Sequence, residues 1–294
     1  MIPAPRGAQQ TGTMQAKVAW LGRMALVAVA ARVAFSPSNA AAETITIKGS
    51  DTMVILGQRW AEAYMNAHPE ARVQVTGGGS GTGISALING TTDICQASRD
   101  IKPKERVLLK QNQDSEAVEI PVAQDGLAVY VHAANPVAAI SIPQLKGIFT
   151  GRITNWRELG GPNKIIIVYS RESSAGTYVY FKDRVLDGLD FTEYVQPMPG
   201  TAAVVHAVSK EKYGIGYGGA AFASGIRTLK VSPDGRAPAI APTVETVATG
   251  HYPLARPLFF YLRAAPSGAI GSFLDFVLSP AGQAIVTEVG YYPR

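Results

Sequence analysis

At 294 residues, 47% apolar and 17% charged, the chain has room for two modest domains and is too apolar to be a disordered polymer. Its formal charge of +5 sits mostly at the start: residues 1–42 carry Arg6, Lys17, Arg23 and Arg32 and no acid, so residues 43–294 keep only +1. That balance excludes a nucleic-acid footprint, and the single cysteine excludes an intrachain disulfide.

Residues 1–42 read as a secretory signal peptide. The bases precede and flank a short apolar run, Ala25 to Ala31, and Ala40-Ala41-Ala42 supplies a small-residue cleavage site ahead of Glu43. The run is too short to span a bilayer and is flanked by Arg23 and Arg32. Translation starts at Met1 or at Met14. Cys95 lies far from the leader, so there is no lipobox cysteine to acylate. These features imply a soluble exported chain, most simply periplasmic, with Cys95 a buried small apolar residue.

Beyond the leader, strands and helices alternate. Thr44–Lys48 alternates apolar and polar residues as a strand does. Gly49-Ser50-Asp51-Thr52 then leads to a helix with Leu56, Trp60, Tyr64 and Ala67 on one face, capped by Ser50, Asp51 or Thr52. A second strand, Arg72–Thr76, runs into Gly77-Gly78-Gly79-Ser80-Gly81-Thr82-Gly83 and a helix through Ile84, Leu87 and Ile88. This stretch is neither a P-loop nor a GxGxxG fingerprint. A third strand, Thr92–Ala97, ends at Ser98-Arg99-Asp100, and Pro103–Gln113 reads as a helix. Gln124-Asp125-Gly126 separates two strands, Ala117–Val122 and Leu127–Val131, and marks a crossing into a second lobe.

Further on, Ser141 caps a helix running to Phe149. Lys164–Tyr169 is a strand opening onto Ser170-Arg171-Glu172-Ser173-Ser174-Ala175-Gly176-Thr177 and another helix. A helix over Thr201–Ser209, strands at Gly214–Gly218, Arg227–Val231 and Pro257–Leu262, and helices at Ile270–Leu278 and Ala281–Val289 complete an α/β pattern.

Four turns thus offer hydroxyl and amide donors: Ser50–Thr52, Gly79–Thr82, Ser98–Arg99 and Arg171–Thr177. Three of them open helices, whose free N–H groups and dipoles attract an anion. Hydroxyls add donors without charge, and Arg171 can grip a tetrahedral oxyanion with two donors.

In these turns, and in Tyr252-Pro253-Leu254-Ala255-Arg256-Pro257-Leu258 and Gly282-Gln283, the chain resembles the phosphate-binding proteins of bacterial Pst-type phosphate ABC transporters, in order over essentially all of 43–294. The resemblance implies a periplasmic-binding-protein fold, two α/β lobes joined by two hinge crossings with the ligand cleft between them. Lobe 1 is residues 43–124 plus 255–294 and lobe 2 is 125–254. It implies inorganic phosphate as ligand, a permease and ATPase complex at the inner membrane as partner, a monomer, no cofactor and no catalysis. The implied contacts are Ser50, Asp51, Thr52, Gly79, Ser80, Gly81, Thr82, Ser98, Arg99, Arg171, Ser174, Ala175, Gly176 and Thr177. Ala175 stands where a serine hydroxyl is often found, leaving its backbone N–H and a share for Ser174.

One departure bears on selectivity. Some members carry an aspartate where this chain has Arg99, and that carboxylate accepts the proton of hydrogen phosphate, which ionised sulfate lacks. Asp51 or Asp125 must replace it. Asp51 is favoured because it lies in a contact turn, where Arg99 can pair with it. An exported phosphatase, or a binder of sulfate or molybdate, are the alternatives. The first lacks support, since His68, His132, His206 and His251 have no metal-ligand spacing.

Overall fold

The computed structural model describes residues 44–294, so the leader assigned to 1–42 lies outside them. In chain order the elements are β1 (Thr44–Gly49), α1 (Val54–Ala67), β2 (Arg72–Thr76), α2 (Ser80–Ile88), β3 (Ile94–Ala97), α3 (Pro103–Gln113), β4 (Val118–Val131), β5 (Ala139–Ser141) and α4 (Ile142–Phe149). Then come β6 (Ile167–Arg171), α5 (Gly176–Arg184), β7 (Gln196–Met198), α6 (Gly200–Lys210), β8 (Gly214–Gly219), β9 (Arg227–Ser232), α7 (Val244–Ala248), β10 (Ala255–Leu262), α8 (Gly268–Leu278) and α9 (Pro280–Val289).

The alternation read in β1 is its burial pattern: Ile45 and Ile47 are buried between less buried Thr44, Thr46 and Lys48. Leu56, Trp60 and Tyr64 recur every fourth residue of α1 and are all buried. Trp60 packs edge-on to Phe260 at 5.7 Å and donates its indole N–H to the Gly282 carbonyl at 2.8 Å, tying α1 to β10 and α9. Burying a side chain of this size contributes about 1.5–3 kcal/mol. A separate core gathers Leu127, Val129, Phe149, Trp156, Phe181 and Tyr217, where the Phe181 and Tyr217 rings stack 3.8 Å apart.

The sheet runs β2-β1-β3-β10-β4-β8-β6-β7, with β9 and β5 off this path. β1 is parallel to β2 and β3, and β6 is parallel to β7 and β8. β4 is the link. Its first half pairs antiparallel with β10 as far as Gly126, and from Leu127 it pairs with β8 and β9.

Several expectations need correction. Gln124-Asp125-Gly126 does not interrupt the chain into two strands: both polar residues stay in the β4 ladder, opposite Pro257 and Arg256. The polar side chain is tolerated there because Arg256 neutralises it. The irregularity falls instead at Val122, which is left out of the register between Ala123 and Pro121, and a proline beside such a bulge is one of the few places a strand admits it. The strand expected over Lys164–Tyr169 starts at Ile167 and continues to Arg171, so the arginine is the last strand residue and not part of a turn. Neither Ser50, Asp51 nor Thr52 caps α1, which follows a single tight turn over Asp51–Met53 and has no side-chain cap bond. The short β5, β7 and α7 lie outside the expected elements.

Cys95 is fully buried, as expected, and burial pushes its thiol far above the ordinary value. That leaves it without thiolate character.

Candidate functional site

The polar turns follow the C-terminal ends of β1, β2, β3 and β6, where α/β sheets place their ligands. The structure brings them together. Ser50 donates its hydroxyl hydrogen to Ser98 Oγ at 2.9 Å, and Ser98 N–H donates to Ser80 Oγ at 3.0 Å, so three turns share one hydroxyl cluster. Thr52 and Thr177 hydroxyls meet at 3.0 Å. Gly176 lies against the same cluster: a Cβ there would stand 2.3 Å from Ser80 Oγ and 2.6 Å from Ser98 Oγ, so only glycine admits this approach. Gly79, at φ +91°, makes the turn that starts α2.

The helices opened by these turns lack side-chain caps. Neither Gly79 before α2 nor Ala175 before α5 offers a capping bond, whereas Ser141 and Ser279 cap α4 and α9. The first N–H groups of a helix have no acceptor within it, so those of α2 and α5 that no neighbouring turn engages are available to an anion. Some expected N–H donors are already taken. Gly79 N–H donates to Gly49 O at 3.0 Å, Gly81 N–H to Ser174 O at 2.9 Å, and Ala175 N–H to Glu172 O at 3.0 Å. Those three groups hold the turns in shape. Thr82 and Ser174 are only partly buried and sit at the margin of the cluster.

Arg171 is 1% exposed. Its Nη1 donates to Thr201 Oγ1 at 2.8 Å and its Nη2 to Asp51 Oδ2 at 2.7 Å, while Nε is buried with no partner among the described residues. The other oxygen of Asp51 accepts Gly78 N–H at 2.8 Å. Arg99 does not pair with Asp51. Its guanidinium makes a two-point bond at 2.8 Å to Glu105, in the first turn of α3, and Arg99 Nη1 also donates to Asp100 O. Burial by itself would raise the Glu105 carboxyl, but the bonds from Arg99 and from Lys102 N–H outweigh it and hold that carboxyl below its ordinary value.

Sequence reasoning missed three residues. Arg256 is 3% exposed and joins the parts of the site. It donates to Asp125 Oδ2 through Nε (3.0 Å) and Nη2 (2.8 Å), to Ser98 O at 3.0 Å and to Thr177 Oγ1 at 3.0 Å. A charged residue inside the apolar run of β10 was the available signal. Thr201, at the start of α6, and Glu105 gave none beyond ordinary helix-start chemistry. Asp125 is wholly buried, and its Oδ1 has no hydrogen-bond partner among the described residues. Also among the described residues, no group of His, Cys, Asp and Glu is placed to hold a metal.

Residues 35–281 match the PBP superfamily domain family. The phosphate-binding protein PstS of Pseudomonas aeruginosa is 33% identical over 262 residues, covering 83% of this chain and 81% of that protein. PstS of Bacillus subtilis is 34% identical over 255 residues, covering 86% and 81%. Among solved structures, a phosphate ABC transporter substrate-binding protein with bound phosphate from Clostridium perfringens superposes with a TM-score of 0.77 at 31% identity, covering 86% of this chain and all (100%) of that one. An ABC-type phosphate transport receptor from Vibrio cholerae gives 0.69 at 29% identity, covering 85% and 100%.

Proposed function

The chain belongs to the PBP superfamily and, within it, to the PstS phosphate-binding proteins, and we propose that it captures inorganic phosphate between two lobes and delivers it to an ABC importer. The observation that carries this reading is Arg171: a fully buried guanidinium with an unpartnered Nε, set among uncapped helix starts and clustered serine and threonine hydroxyls. A buried cation with a spare donor is costly unless an anion completes it. Ser80, Ser98, Thr52, Gly176 and Thr177 surround the anion, with Ser50 behind them. Lobe 1 is residues 43–124 plus 255–294, lobe 2 is 125–254, and the crossings run through β4 and the start of β10.

Selectivity rests on an acceptor for the ligand's proton. Both Asp51 oxygens already accept from Gly78 and Arg171, whereas Asp125 keeps one buried oxygen without a donor among the described residues. Asp125 is therefore the acceptor in this reading, in place of Asp51. A fully ionised anion has no hydrogen to offer it, and hydrogen phosphate has one.

The protein acts in the periplasm as a monomer, handing phosphate to a permease and its ATPase. In this reading it binds and does not hydrolyse, which the transport substrate-binding role of its named relatives supports. Calorimetric titration of the purified chain with phosphate, arsenate, sulfate and molybdate tests the reading. Tight binding of phosphate and arsenate with weak sulfate and molybdate is expected, and equal sulfate binding refutes it. Sustained turnover of p-nitrophenyl phosphate refutes the non-catalytic part.

A further inference from the structure

Asp51 stands on the turn after β1, and Arg171 ends β6, 120 positions away in the chain. Their 2.7 Å contact is an ionic bond across the cleft, between a guanidinium 1% exposed and a carboxylate 19% exposed. The carboxylate is fixed from its own side: Gly78 N–H donates to Oδ1, and a Cβ on Gly77 would stand 2.5 Å from that oxygen, so the glycine turn is cut away to receive it. On the far side, Thr201 takes the other terminal nitrogen of Arg171. The guanidinium is thereby held at both ends, with Nε left over.

We propose that Asp51 is a latch: it holds the two lobes closed through Arg171, without touching the anion itself. The proposal rests on the two-lobe reading of the cleft. Gly81 N–H to Ser174 O and Thr52 to Thr177 also cross the cleft without charge, and Arg256, which reaches Asp125 and Thr177, does so from the crossing strands themselves, so Asp51 and Arg171 form the ion pair away from the crossings. The latch is made wholly of protein groups, so it forms in phosphate-free protein and populates closed conformations before capture. Removing it lowers the closed, binding-competent fraction. Apparent affinity then falls by the same factor for every anion the cleft accepts, because the loss lies in the conformational equilibrium and not in any ligand contact.

The test compares wild type with Asp51→Asn. Small-angle scattering of each without phosphate gives the radius of gyration, and titration gives apparent Kd for phosphate and arsenate. The expected result is a larger phosphate-free radius in the variant and a rise in Kd of about five-fold or more, equal for both anions, with phosphate-over-sulfate preference intact. Equal phosphate-free radii overturn the latch. So does a Kd change that differs between anions, which makes Asp51 a ligand contact. Should Asp51→Asn fail to fold, Asp51→Ser replaces it. A wild-type radius that is fully open without phosphate overturns the proposal whatever the variants do. The scattering arm contains no phosphate, so it reads the latch even if phosphate proves not to be the ligand.

Discussion

Asp125→Asn isolates the acceptor. The side chain is fully buried, and Oδ2 takes two donors from Arg256 at 3.0 and 2.8 Å while Oδ1 takes none among the described residues. In the variant the amide oxygen stays with Arg256, and an NH2 group replaces Oδ1. Hydrogen phosphate then loses an O–H···O⁻ bond of about 1.5–3 kcal/mol, which weakens it by roughly ten-fold to a hundred-fold. Sulfate loses nothing, since it has no hydrogen to donate, and it gains a donor and sheds a negative neighbour. The phosphate-to-sulfate affinity ratio is therefore expected to fall by at least about ten-fold, read by calorimetry with both anions near pH 7.5. The substitution also leaves Arg256 less compensated in the interior, at a cost of up to about 3–5 kcal/mol, so thermal melts of the phosphate-free variant establish that it folds. Equal changes for the two anions would falsify the reasoning, because Asp125 would then act only by holding Arg256.

Arg171→Ala deletes the buried countercharge and strands Asp51 and Thr201; phosphate affinity should drop by about a hundred-fold or more in the same titration. Gly176→Ala places a methyl 2.3 Å from Ser80 Oγ, so α5 must back away from the cluster, and phosphate Kd should rise by about ten-fold while the melting temperature moves little. Glu105 has its carboxyl held below the ordinary value, so its pairing with Arg99 stabilises the fold above that value and the contribution disappears as the pH falls through the folded-state value. Glu105→Gln should accordingly lower the melting temperature at pH 7, with the gap to wild type closing toward acid pH; a gap that widens on acidification refutes the pairing.

Most of the fold was legible because strand and helix periodicities differ. Ile45 and Ile47, or Leu56, Trp60 and Tyr64, declare their element by spacing alone. The helix over Pro103–Gln113 matches its expected bounds, since proline at the helix start and Glu105 in its first turn are local signals. What local reasoning lost is what depends on a distant partner. Gln124 and Asp125 look like a break in an apolar run, and only partners far along the chain, Tyr292 for Gln124 and Arg256 for Asp125, make them part of a strand. The three-residue β5 and β7 exist only through pairing with β9 and β6, so no window of sequence could reveal them.

The site divides along the same line. The four turns and their hydroxyls are legible because each directly follows a strand, and three of them open helices. The charge pairing was misread because it is settled in three dimensions. Each arginine of the site has its own carboxylate: Arg99 with Glu105, Arg171 with Asp51, Arg256 with Asp125. Arg99 and Asp51 were expected together because both sit in contact turns, yet Arg99 is drawn to Glu105 six residues on, where the helix start already concentrates donors on that carboxylate. Asp51 is thereby free to reach Arg171, and Arg256 is left to hold Asp125 by a single oxygen. With three guanidiniums matched by three carboxylates, the pairs bring no net charge to the cleft. In the proposed reading an anion there is held by the dipoles of α2 and α5, by hydroxyls and by the Nε of Arg171, and discriminated by Asp125 Oδ1, the one oxygen of these carboxylates that accepts no hydrogen bond among the described residues.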